Sequence, residues 1–500
     1  MGKYLCYRGL LVDVDLPAVE FVCDLVVRGG GFFLDFSTMK TLPRGCVAVY
    51  TAFGQGIIRH GRHGCASPPH NRSSLGNVWT TVQACEPFAN SWGPCPTPNC
   101  STHCIAGGDE DATTIPSAFC GARFDDYPVS VLWGTFLLTI LLRHPGIEAG
   151  LDELRRNHSL RRLIGIESES QVPKKWNMSR FLDVLGSEPH LSLLREVFER
   201  MTRRLGELVV DLGVHTVGDA SGLNARREKQ KKAAPSDLPQ PAGGCKEYTD
   251  ESGKVVKVVE WFGYKFHLLV DVKHEVVLAY QISSTQKGDN EVLPALVEQG
   301  RGNLPPGRIK TLAYDQAAAD TKVHRFLHQA NISPLIENRR MLKDQTEQML
   351  PGHDGNSNIV YDEAGTVYCY DKVSDPAVRH KMSYLGQEPQ RGRLKYRCPA
   401  KHQGWSCPSN KRCNPGKTYG LTVRVKREID LRRFPPIPRA TKQFERRYKG
   451  RTTVERVNAR IKIFWGADDG NITGARRFHA YLGGVLVVHA GLATLLLNLA

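Results

Sequence analysis

Five hundred residues is about three average domains of chain, enough to build a core without disulfide or metal staples, so small secreted scaffolds are excluded. Hydrophobic residues at 41% and charged residues at 24%, with 47 Gly and 29 Pro, are ordinary globular values and exclude a disordered or collagen-like chain. A formal charge of +16 calls for a polyanionic partner, either nucleic acid or an anionic membrane surface.

That charge is local. Between Arg391 and Lys462 stand 22 Lys and Arg against four acids, Glu428, Asp430, Glu445 and Glu455. Such density points to phosphate-backbone contact rather than to a generally solvated surface. The N-terminus has no secretory pattern, because Asp13 and Asp15 precede any long apolar run; a cytoplasmic protein is expected.

Residues 1 to about 120 are rich in Gly, Pro and Cys and weakly periodic, and no function is assigned to them. Nine of the 14 cysteines fall there, including Cys95-x4-Cys100-x3-Cys104 with His103 alongside. From Tyr127 the texture becomes helical: Val131, Leu132, Phe136, Leu138, Leu141 and Leu142 recur at helix spacing. After the Pro145-Gly146 break, Leu151, Leu154, Leu160, Leu163 and Ile164 continue the pattern. Met178 to Leu185 and Leu191 to Leu205 complete a helical domain over 127–207. Pro128 to Leu142 is too short to span a bilayer. Ala480 to Ala500 is long enough, but Tyr481, His489, Asn498 and three glycines mark it as a buried terminal helix.

The period then switches. Val209 to Val217 predicts a strand stopped by the turn residues Gly218-Asp219-Ala-Ser-Gly222. Residues 233–244 read as loop. Val255 to Asp271 and Glu275 to Ser283 predict a hairpin turning at Lys273-His274. Helices are expected over Asn290 to Gln299 and Asp320 to Ala330, and strands over Ile309 to Tyr314 and Ile332 to Ile336. Alternating strands and helices predict an α/β fold with a mixed sheet. From about 340 to 440 the pattern loosens into short strands. There Cys398-x3-His402-x4-Cys407-x5-Cys413 offers four soft ligands, the number a tetrahedral zinc needs. No two of these cysteines have the short gap of a tight thiolate turn, and the alternative is free thiols in a reducing cell.

Asp219 and Asp315 each end an apolar strand and are followed by small residues, where α/β sheets commonly host chemistry. Capping of an adjacent turn or helix is an equal reading of either one alone. In Tyr448-Lys-Gly-Arg451-Thr-Thr-Val-Glu455, followed by Lys462, a helix from Thr452 would bring Glu455 and Lys462 within about 20° of each other. Val454, Val457, Ile461 and Phe464 would share another face. Thr452-x-x-Glu455 is also a capping box, which accounts for Glu455 but not for Tyr448, Arg451 and Lys462.

Tyr448-x2-Arg451-x3-Glu455-x6-Lys462 resembles the Tyr-Arg-Glu-Lys signature of bacterial insertion-sequence transposases, whose ribonuclease-H-like core carries an Asp-Asp-Glu triad. Thr216-Val-Gly-Asp219 and Leu312-Ala-Tyr-Asp315 resemble the two aspartate strands, and the likeness extends over about residues 127–500. It implies a 208–500 catalytic domain with a β-rich insertion at about 340–440. It also implies that Asp219, Asp315 and Glu455 hold two Mg2+ or Mn2+ ions, with Tyr448, Arg451 and Lys462 close to DNA phosphates. The expected partners are element ends and target DNA, bound by a homodimer in a nucleoid-associated bacterial protein with no membrane. The expected reaction is cleavage that frees a 3′-hydroxyl, then its transfer to target DNA. No tryptophan follows Asp315, which argues against a hairpin intermediate.

End recognition has to come from elsewhere, since a triad reads backbone and not sequence. The candidates are Arg155-Arg156, Arg161-Arg162, Lys174-Lys175 and Arg203-Arg204 in 127–207, against a packing domain with solvated arginines. The competing functions are a ribonuclease-H-like nuclease without strand transfer, a DNA-binding protein from an inactive element, and a zinc-dependent regulator.

Overall fold

A computed structural model describes residues 127–226, 237–250, 254–338, 347–351, 358–371, 373–416 and 418–499, with three short strands before them. These are β1 (Tyr4–Tyr7), β2 (Leu10–Asp13) and β3 (Val49–Thr51), paired antiparallel. Cys95, Cys100, His103 and Cys104 lie outside the described residues. The chain divides into two compact units: 1–201 with 223–264 and 459–500, and 202–222 with 265–458.

The first unit is built on helices α1 (Val129–Leu141), α2 (Ile147–Arg156), α3 (His158–Leu163), α4 (Lys175–Leu185) and the start of α5 (His190–Leu208). Every residue of α1 from Val131 to Leu141 is buried, so this helix needs neighbours on all sides. One of them comes from the far end of the chain: the terminal helix Ala475–Leu499 packs on α1 and α4. The Phe136 ring lies 6.2 Å from Tyr481 and 6.4 Å from Phe181. Gly484 is needed under that ring, since a Cβ there would strike it. The Arg477 guanidinium donates to both Asp183 oxygens, at 2.7 and 2.5 Å. Residues 475–496 are long and apolar enough to cross a membrane, but 89% of the most apolar window is buried inside the protein.

The second unit carries the mixed sheet. Its elements are most of β4 (His215–Asn224), the second half of β6 (Val255–Asp271), β7 (Val277–Ser283), α6 (Asp289–Gly302), β8 (Thr311–Tyr314), α7 (Thr321–Gln329) and β9 (Ser333–Ile336), whereas β5 (Ala242–Thr249) lies in the first unit. The path runs β6-β4-β8-β9, with β7 on the outer edge of β6. β4, β8 and β9 are parallel, in the register His215↔Thr311 and Thr311↔Ser333, and the crossover between β8 and β9 is α7. The first half of β6 belongs to the first unit, where it pairs with β5; the second half pairs with β7 and is buried.

The expected turn at Gly218 to Gly222 is not formed: β4 runs straight through it. Gly218 serves close packing instead, because a Cβ there would come within 2.6 Å of the Tyr314 ring. Asp219 therefore stands in mid-strand, two residues beyond the last β4–β8 pair.

Burial pushes the His267 imidazole down to about 4 and that of His324 down to about 3. Both are neutral in the folded protein at pH 7, whereas the unfolded chain protonates them near pH 6.5. Stability is therefore full above that value and falls as pH drops from 6.5 towards 4. Each group is expected to cost about 2 kcal/mol by pH 5. Urea midpoints at pH 7 and pH 5 measure the drop, and His324→Leu should remove its share; a midpoint indifferent to pH would contradict the assignment.

The insertion forms two small sheets. One is β10 (Gln348–Met349), β11 (Ile359–Tyr361), β12 (Val367–Tyr370) and β13 (Arg379–Lys381); the other is β14 (Ser383–Glu388), β15 (Arg393–Arg397) and β16 (Thr422–Lys426). They share a core of fully buried Ile359, Val367, Leu394, Val423 and Phe434. Short helices α8 (Pro399–Gln403) and α9 (Asn410–Cys413) lie between β15 and β16. The dense basic run is in part structural. Arg427 and Arg432 are buried, and Arg439 donates to the carbonyls of Ile336, Ala364 and Arg432. A core this small leaves loop carbonyls that guanidinium forks satisfy, so not every cation of the run faces solvent.

After the insertion the chain is helical almost without a break: α10 (Lys442–Tyr448), a 3-10 turn over Lys449–Arg451, α11 (Thr452–Ala459) and a π-helical stretch over Arg460–Phe464.

Candidate active site

The parallel pairing of β4 with β8 sets two acids level. The register Val217↔Ala313, extended two residues, brings Asp219 of β4 opposite Asp315, just past the carboxyl end of β8. Asp219 is half-buried, and its Oδ2 accepts from Asn458 Nδ2 at 3.3 Å. Asp315 caps the 3-10 turn Gln316–Ala318, its Oδ1 accepting from the Ala317 amide at 3.0 Å. The capping expected as an alternative is therefore real, and it engages this oxygen while fixing the carboxylate.

Arg451 ties the helix to the sheet. Its Nη2 lies 3.3 Å from Glu455 Oε1 and its Nη1 3.9 Å from Asp219 Oδ1. The capping box at Thr452 has no open helix end to serve, because the chain already arrives helical through Lys449–Arg451. Tyr448 stacks on Phe444 at 5.5 Å. Burial pushes its phenol up to about 12, with the carboxylates of Glu337, Asp315 and Glu455 adding to the effect and Arg451 opposing it. Tyr448 is thus a neutral donor near two of the three acids. The helix is anchored by Thr453, whose hydroxyl donates to the Val272 carbonyl at 3.4 Å, and by Arg456 on Glu275 at 2.8 Å.

Asp219, Asp315, Glu455, Tyr448 and Arg451 all belong to one unit. Lys462 belongs to the other, where its Nζ is 3.1 Å from an Asp468 oxygen. Its expected alignment with Glu455 assumed 100° per residue, and the π-helical stretch breaks that step. Three residues near these side chains were not singled out from the sequence. Asn458 is one turn beyond Glu455, at a spacing that could have shown it. Glu337 follows β9. Tyr314 precedes Asp315; its buried Oη has no hydrogen-bond partner among the described residues. Burial holds that phenol well above its ordinary value, helped by Asp289, Asp219 and Asp315.

Among the described residues no three His, Cys, Asp or Glu side chains are gathered as a formed metal centre. The donor chemistry fits hard divalent ions all the same, since carboxylate oxygens suit Mg2+ and Mn2+. A guanidinium standing between Asp219 and Glu455 marks a place where positive charge is stabilised. Of the soft-ligand set, Cys398, Cys407 and Cys413 line one small cavity, whereas His402 lines a separate groove with Gln403 and Thr441.

A mixed sheet whose central parallel strands deliver two aspartates towards a glutamate-bearing helix defines the ribonuclease-H-like class. Residues 214–490, more than half of the chain, match the family described as Transposase DDE domain, and the chain belongs to that family. Its members are transposases that generally work with divalent metal ions. No curated protein matches the sequence. Among solved structures the chain is similar to one described as the crystal structure of a pre-cleavage Mos1 transpososome, at 13% identity and a TM-score of 0.15. The match covers 38% of this chain and 58% of that one, so the chain spans less than two thirds of the solved protein's length.

Proposed function

We propose that this transposase cuts DNA at the ends of an insertion sequence and joins the freed 3′-hydroxyl to target DNA at one site. The observation that carries the reading is Asp219 and Asp315 level on adjacent strands, with Arg451 bridging Asp219 to the Glu455 helix.

Asp219, Asp315 and Glu455 would hold two Mg2+ or Mn2+ ions. Bound there, the ions supply Lewis-acid stabilisation at both the attacking and the leaving oxygen of an in-line displacement. The chain's own groups do the rest. Arg451, relieved of its carboxylates, is a planar fork for the non-bridging phosphate oxygens. Tyr448 keeps its proton and donates to the same phosphate. Asn458 orients Asp219, and the Ala317 amide orients Asp315. Lys462 would contribute a point charge to DNA phosphates.

Element ends would be bound by a homodimer through the helical region. Several of its expected cations are engaged: Arg155 on Asp152, Arg156 on Glu153, Lys175 on Glu148 and Arg204 on Glu207. Arg162, Lys174 and Arg203 are exposed. Replacing these three by Ala in the full chain should weaken end binding about equally on all sequences and lower the salt slope of log K by about 3. An unchanged slope in a salt titration would remove the helical region from the interface.

The direct test incubates the protein with its element's end DNA and Mg2+ and maps the products. Nicking at the element boundary followed by joining to a second duplex is expected. Nicking without joining would make the protein a ribonuclease-H-like nuclease, and binding without nicking would make it a DNA-binding protein from an inactive element.

A further inference from the structure

Four of the five cysteines among the described residues, Cys369, Cys398, Cys407 and Cys413, face one small cavity in the insertion, and none forms a disulfide. The cavity, ≈ 20 Å³, has room for a single water-sized sphere or ion. Each cysteine arrives from a different local element. Cys369 is on β12, Cys398 is the N-cap of α8, and Cys413 ends α9. Cys407 opens a turn in which its carbonyl accepts from the Asn410 amide at 3.0 Å.

Two further features make this more than coincidence. The segment from Lys401 to Gly420 folds over the sheet with no apolar side chain buried among its described residues; only Ser409, Asn414 and Gly420 are buried there. Ordering some twenty residues costs conformational entropy, and without apolar burial little in the segment offsets it. A cross-link is what such a segment lacks. In addition, two buried amides point at sulfur: Asn358 Nδ2 is 3.7 Å from Cys413 Sγ, and Asn414 Nδ2 is 4.0 Å from Cys398 Sγ. Amide donors on sulfur stabilise thiolates, the form a metal requires. Gly420, with φ +88°, is held against Cys398, whose Cβ would be 3.3 Å from any Cβ added there.

We propose that Cys369, Cys398, Cys407 and Cys413 bind one structural zinc ion as a tetrahedral tetrathiolate, stapling the segment between β15 and β16 to β12. Binding exchanges four thiol protons, released to solvent, for four Zn–S bonds. Cys369 takes the place His402 held in the sequence reading. It lies on a strand well upstream, invisible to spacing within 398–413. Among the described residues the four sulfurs are not already gathered as a formed metal centre. Neutral thiols have no attraction for one another, and only the ion would bring each to about 2.3 Å from a common centre. The site is independent of the transposition reading.

The test uses the full chain, whose first 120 residues carry nine further cysteines, so metal content is read as a difference. Elemental analysis of protein refolded with zinc should give one zinc per chain more for the parent than for Cys369→Ser, with no loss in His402→Ala. Where Cys369→Ser does not fold, the parent refolded with Co2+ decides. Its absorption minus that of a chain with all four cysteines replaced by Ser should show tetrahedral thiolate bands. Equal zinc in the parent and Cys369→Ser, loss in His402→Ala, iron in place of zinc, or no thiolate–cobalt difference spectrum would each overturn the proposal.

Discussion

Glu455→Gln is expected to leave DNA binding intact and to lower strand cleavage by roughly 1,000-fold, which corresponds to several kcal/mol of transition-state stabilisation. Gln has the shape of Glu, and its amide oxygen can still accept from Arg451, so the helix and the approach of Arg451 survive. The Glu455 side chain is 55% exposed, so its stability cost is small. What disappears is the negative charge that a divalent ion requires. Asp219→Asn and Asp315→Asn should behave alike: Asn is as good a cap for the Ala317 amide as Asp, and an amide oxygen at 219 can still face Asn458. Gel shifts separate binding from cleavage on labelled end DNA. Nicking within tenfold of the parent in any one variant would remove that residue from the metal set.

Ending the chain after Gly474 should unfold the helical unit although every residue of 127–207 is retained. Leu482, Val485, Leu486, Val487, Val488, Leu492 and Leu495 of the terminal helix are each at most 7% exposed. At ~1.5–3 kcal/mol per buried Val or Leu, their loss is on the order of 10 kcal/mol, comparable with the whole stability of a domain. It would also bare α1, which is buried along almost its full length. Far-ultraviolet circular dichroism and limited proteolysis read the outcome. Protection of 129–205 equal to that of the full chain would show that the helical region closes on its own core. For the same reason end binding is better tested in the full chain than in a 127–207 fragment.

How much was legible follows from the range of the interactions. β6 was read at its true bounds because its β-branched run carries its own signal over seventeen residues. β8, β9 and the helix between them likewise follow from local period, whereas β4 begins at His215, not Val209, and runs on to Asn224. Asp219, Asp315 and Glu455 stand out in the sequence because each lies beside a short apolar run or within a spaced motif. Where the reading missed, the cause was a neighbour remote in sequence. Gly218 looks like a turn residue until the Tyr314 ring covers it, and Arg439 looks like a phosphate ligand until three carbonyls claim it. His402 shares a stretch with three cysteines, yet it lines a separate groove, while the distant Cys369 lines theirs.

From the amino-acid order alone came the α/β class, the β-rich character of the insertion and the basic stretch, because composition and periodicity act over a few residues; Asp219, Asp315 and Glu455 were singled out by the resemblance of their motifs to a transposase family. Only the tertiary structure decided that the last helix completes the helical unit, that Arg451 links Asp219 to Glu455, and that four scattered thiols share one cavity. Those outcomes depend on contacts between segments tens to hundreds of positions apart, which chain-local patterns do not encode.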